Sequence, residues 1–70
     1  MNSYKKTFYF KNNSTFTAEF DTDLTLEELE KHYYRKKKKG KIIVEYTENK
    51  IINIIDLKDV HTINIERIDN

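Results

Sequence analysis

Seventy residues carry a formal net charge of +1, with no Cys, no Pro and a single Gly. That length sets one small domain, residues 1–70, and the composition excludes disulfides, thiolate metal sites and a glycine-rich phosphate loop. The near-neutral balance gives no global attraction to polyanions.

The first expected elements are two strands. "TFYF" puts Phe8 and Phe10 on one parity, and "TFTAEF" puts Phe16, Ala18 and Phe20 on one parity against Thr15, Thr17 and Glu19. Alternation at period 2 is the signature of a half-buried strand. Facing residues of an antiparallel pair share a side of the sheet, so the connection must be odd. Pairing Phe10 with Phe16 and Phe8 with Ala18 leaves Asn12, Asn13 and Ser14 as a three-residue loop, with an Asn or Ser in the left-handed position.

"LTLEEL" then starts a helix. Thr25 followed three residues later by Glu28 forms a capping box, with Leu24 and Leu29 as its hydrophobic staple. The helix is expected from Leu26 to Lys38, with Leu26, Leu29 and Tyr33 as one apolar stripe and Gly40 as a left-handed cap. Its first turns hold Glu27, Glu28 and Glu30. Its end holds Arg35 and Lys36 to Lys39. Acid at the start and base at the end match the helix dipole, so the basic run "KHYYRKKKKGK" has a sufficient structural reason.

"KIIVEYT" and "IINIIDL" are read as strands joined by a turn at "ENK". Ile42, Val44 and Tyr46 line one side of the first, and Ile52 and Ile54 one side of the second. Ile51, Ile55 and Leu57 line the other side of the second. "DLKD" turns the chain into "HTINIERI", where Ile63 and Ile65 point in and Thr62, Asn64 and Glu66 point out.

The expected fold is therefore a two-layer α+β domain of order β-β-α-β-β-β. The most apolar strands, the third and fourth, are placed centrally, which gives one antiparallel five-stranded sheet of order 2-1-3-4-5 with the helix on one face. One helix cannot cover both faces of such a sheet. Ile43, Ile51, Ile55 and Leu57 point away from the side used by Ile42, Val44, Ile52 and Ile54, and are the candidate protein interface.

No nucleophile, acid/base pair or metal-ligand spacing emerges, so the chain is expected not to be an enzyme and to use no cofactor. His32 and His61 lie on different elements and match no zinc pattern. No apolar run approaches the length of a membrane span, and "MNSYKKTFYF" lacks the apolar core of a signal peptide. With no Cys, a cytoplasmic location is expected. The abundance of Lys, Asn and Ile suggests AT-rich coding, as in low-GC bacteria and their mobile elements.

The functional expectation is a small non-enzymatic protein-interaction module. It would be a homodimeric adaptor, or an inhibitor of the kind phages direct against host defence systems, with a second copy or a host protein as partner. The alternative is weak, sequence-independent nucleic-acid binding through segment 31–41, by Tyr34, Arg35, Lys36, Lys37, Lys38, Lys39 and Lys41.

Overall fold

The computed structural model describes residues 1–46 and 50–68. Strands β1 (Asn2–Phe10) and β2 (Thr15–Thr22) lead into helix α1 (Leu26–Lys38). Strands β3 (Ile42–Tyr46) and β4 (Ile52–Asp56), a short 3-10 turn (Leu57–Asp59) and strand β5 (Val60–Arg67) follow. The expected order of elements is found, and all strand pairing is antiparallel.

The sheet is not the single five-stranded one. It divides into a three-stranded sheet of order β2-β1-β5 and a two-stranded ribbon of β3 and β4. The third and fourth strands are thus not the centre of a sheet. Their ribbon lies in the second layer beside α1, across the face of the first sheet. The short turn makes this possible. Asp56 caps it by accepting from the Lys58 N–H at 3.0 Å, and the Lys11 N–H donates to the Asp59 carbonyl at 2.8 Å. The chain is thereby handed from the ribbon to the free side of β1.

The inner face of the three-stranded sheet comes from the even positions of β1. Tyr4, Lys6 and Phe8 are all buried there. Phe8 pairs with Phe16 on one side and Ile63 on the other. This register differs by two residues from the expected Phe10–Phe16 pairing, so the phenylalanines keep their face. The loop explains the shift. Phe10 N–H donates to the Ser14 carbonyl at 2.9 Å, leaving Lys11 to Asn13 as the three turn residues. Asn13 takes the left-handed conformation at φ 72°, and Asn12 Oδ1 accepts from the Ser14 N–H at 3.0 Å. Asn is suited to both tasks.

Helix α1 begins and ends where the local signals place it. Thr25 Oγ1 accepts from the Glu28 N–H at 3.2 Å, and Glu28 Oε1 accepts from the Thr25 N–H at 3.0 Å. At the far end the Gly40 N–H reaches the Lys37 carbonyl and the Lys41 N–H reaches the Lys36 carbonyl, both at 3.0 Å. Those two bonds with Gly40 at φ 61° make a Schellman cap. A side chain at Gly40 would be strained by that φ and would meet Lys58 Cγ at 2.9 Å. Of the apolar stripe, Leu29 is buried and Tyr33 half-buried, while Leu26 is half-exposed. Of the expected turn at "ENK", Glu48 and Asn49 lie outside the described residues, and Lys50 has a left-handed φ of 60°.

Removing the cap is a direct test of this helix start. Thr25→Ala should lower stability by about 1 kcal/mol, read as a lower melting temperature. The two Thr25 hydrogen bonds, the backbone one first, hold the Glu28 carboxyl below its ordinary pKa. Their contribution is present above the ordinary carboxylate range and is lost as pH falls through it. The Thr25 N–H is kept in Thr25→Ala, so both proteins should lose stability in acid from this source. A melting temperature unchanged by Thr25→Ala would mean that the helix does not begin there.

Candidate protein-interaction surface

The β3–β4 ribbon sorts its residues into two rows. Ile43, Glu45 and Ile55 turn inward, and Leu57 follows them into the core. They join Phe8 and Val60, with Phe10, Phe16, Tyr33 and Ile63 packed around them. The outward row contains Val44 paired with Ile54 and Tyr46 paired with Ile52, and Ile42 extends it. These five side chains are 65% (Ile42), 49% (Val44), 68% (Tyr46), 58% (Ile52) and 74% (Ile54) exposed. They form an apolar face on one side of the ribbon, with Asp56, opposite Ile42, as the acid at its end.

The structure turns the ribbon over relative to the sequence reading. Ile43, Ile55 and Leu57, expected on an outer face, are in the chain's own core, and Ile51 is exposed just before β4. The row expected under the helix is instead the exposed one. The reason is Glu45. Its inward position is occupied because Lys6 of β1 meets it there in a buried ion pair. Lys6 also donates to the Tyr33 hydroxyl at 3.2 Å, and its ammonium lies 4.6 Å from the centre of the Phe20 ring. Three elements thus converge on one cation. Burial pushes the Tyr33 phenol above its ordinary pKa, with the Lys6 charge pulling the other way.

The basic run does not form one flat surface. Lys36 and Lys37 are half-buried, while Tyr34, Arg35, Lys38, Lys39 and Lys41 are exposed. Consecutive helical residues step by about 100°, so these cations point around the helix end. Lys37 and Lys38 face a cleft shared with β5. His32 packs edge-on against the Tyr33 ring at 5.2 Å. Its pKa is lowered by burial first, then by Lys36 and Lys6. His61 instead lies beside Tyr9, with ring centres 6.2 Å apart. The two histidines are not brought together, and among the described residues no three His, Cys, Asp or Glu side chains are placed to hold a metal ion. No helix of the described residues is long and apolar enough to cross a membrane.

The residues that sequence reasoning passed over are Lys6 and Glu45. Lys6 interrupts an apolar parity, between Tyr4 and Phe8, whereas Glu45 sits on the more polar parity of β3, after Ile43 and opposite Asn53. A lone cation in an apolar row that needs an acid was the available signal, and it did not say which strand supplies the acid. Comparisons with protein-family models, with curated proteins and with solved structures find no match.

Proposed function

We propose that this chain is a non-enzymatic protein-interaction module that associates through the outward face of the β3–β4 ribbon, and that the occupant of that face is a second copy of the chain. The observation that carries this reading is the apolar row Ile42, Val44, Tyr46, Ile52 and Ile54, exposed on one side of a ribbon whose other side is buried. A contiguous exposed apolar patch marks an interaction surface. A patch this apolar, with Asp56 at one end as its charge, offers little to select a charged partner, and a two-fold axis can set it against its own copy. A two-stranded ribbon is also marginal by itself, and a partner on its open face would fix it from both sides. A dimer of this kind suits an adaptor or an inhibitor.

The test is sedimentation at low and high concentration for the wild type and for Val44→Lys with Ile54→Lys. The wild type should shift toward a dimer as concentration rises, and the double variant should stay monomeric with unchanged far-UV circular dichroism. A wild type that stays monomeric at high concentration overturns the reading.

A further inference from the structure

A separate feature lies at the edge of the three-stranded sheet. Strand β5 is an edge of its sheet, and among the described residues only β1 pairs with it. The Ile68 N–H donates to the Ser3 carbonyl at 2.9 Å, so Ser3 and Ile68 form a hydrogen-bonded pair. Antiparallel ladders alternate such pairs with non-bonded ones. In this register the bonded pairs are then Lys5–Glu66, Thr7–Asn64 and Tyr9–Thr62, and the non-bonded ones include Lys6–Ile65 and Phe8–Ile63. The backbone N–H and C=O groups of Ile63 and Ile65 therefore point away from β1, along the open edge.

The side chains of those same two residues point to the inner face, where they line a cleft of about 780 Å³ between β5 and α1 with Leu26 and Tyr33. A strand added to β5 would pair with Ile63 and Ile65, and its residues opposite them would share their face. Those residues would enter the cleft. Edge addition with alternate side chains in pockets is an established mode of peptide capture.

The cleft is also polarised. The Tyr4 hydroxyl donates to the Leu24 carbonyl at 2.8 Å, and Tyr4 pairs with Arg67, so α1 starts beside the end of β5. The Leu57 N–H donates to the Lys41 carbonyl at 3.0 Å, so α1 ends beside the turn that opens β5. Glu30 lines the cleft nearer the start of α1, and Lys37 and Lys38 line it at the end. A strand antiparallel to β5 runs parallel to α1 and brings its C-terminal end to the two lysines.

We propose that the cleft between α1 and β5 captures an extended peptide as a fourth strand on β5, apolar at alternate positions and acidic at its C-terminal end. This site is independent of the ribbon face, and either can fail without the other.

The probe is a set of fluorescein-labelled synthetic peptides of about six residues, enough to span the open edge, with alternating apolar and Thr positions and two C-terminal Glu residues. One control set ends in Lys, and another carries N-methyl groups on the amides that would face β5. Binding is read by anisotropy on the full chain. The acidic peptides should bind, and both controls should bind about tenfold more weakly or worse. Lys37→Glu with Lys38→Glu should reverse the preference to the Lys-ended set. On binding, amide exchange of Ile63 and Ile65 should slow while that of Asn64, already paired with β1, stays as it was. The proposal is overturned if no peptide in the set binds at millimolar concentration, or if binding leaves Ile63 and Ile65 unprotected. It is also overturned if a mixed-sequence oligonucleotide binds through Lys37 and Lys38 and displaces the peptide without protecting β5.

Discussion

Lys6→Met should leave the chain largely unfolded at 25 °C. Lys6 is 6% exposed and Glu45 9% exposed, so the substitution strands a carboxylate in the core without its cation. Breaking a buried pair from one side costs about 3–5 kcal/mol, whereas a domain this small has roughly 3–5 kcal/mol in total. Glu45→Leu should fail for the mirror reason, with the Lys6 ammonium left against Tyr33 and the Phe20 ring. The double variant, Lys6→Met with Glu45→Leu, separates two ideas. If the pair matters because each charge needs the other, the double variant should recover stability to near or above the wild type. Urea unfolding of all four proteins measures this, and a Lys6→Met midpoint equal to that of the wild type would refute the buried pair. The pair also specifies which face of the ribbon lies inward, so the double variant is the place to look for loss of a unique fold. Its dispersion in an amide NMR spectrum is the appropriate readout.

Phe8→Ala is expected to be equally severe. Phe8 is fully buried, with its ring stacked on Phe16 at 6.1 Å and tilted against Tyr33 at 6.2 Å between centres. It is the point where the three-stranded sheet, the helix and the ribbon all meet. Truncation of a buried Phe costs about 3–5 kcal/mol through lost transfer energy and the cavity left behind. The variant should show an unfolded far-UV spectrum, and Phe8→Leu should fold with a lower urea midpoint. A folded Phe8→Ala with wild-type midpoint would mean that the cluster is not centred there. By contrast, Phe10 is only half-buried, although it shares the parity of Phe8, because the β1–β5 register shifts between Tyr9 and Phe10.

The features that could be read from sequence act over short range. Thr25 and Glu28 are three residues apart, and Gly40 acts on carbonyls of the preceding turn. Such signals need no knowledge of what the helix packs against. The alternation in "TFTAEF" and "HTINIERI" likewise states which side chains share a face. What the alternation does not state is which strands are neighbours. The apolar richness of β3 and β4 suggested a central place, because strands buried on both faces are apolar on both. An equally apolar pair can instead bury one face and leave the other open, and the residues alone do not distinguish the two. The choice rests on Lys6 and Glu45, distant in sequence and each unfavourable in the core when considered singly. Considered together, they remove each other's penalty. The candidate surface inherited that ambiguity, since Ile42, Val44, Ile52 and Ile54 were identified as one row and placed on the wrong side of the ribbon.

The pairing of β1 with β5 has a kinetic consequence. Asn2 and Arg67, joined by a side-chain hydrogen bond at 3.0 Å, are separated by 65 positions. Helices and local strand pairs form in microseconds or less, and β1–β2, α1 and β3–β4 are all local. Docking β5 closes the longest loop in the molecule, and the entropy of closure must be met before the contacts across it repay the loss. Folding should therefore be slower than for a helical domain of the same size, with β5 joining late. During synthesis β1 must wait for β5. Until Val60 to Arg67 have emerged, β1 has one unsatisfied edge and Phe8 lacks its Ile63 neighbour. The nascent chain is most open to misassociation in that interval.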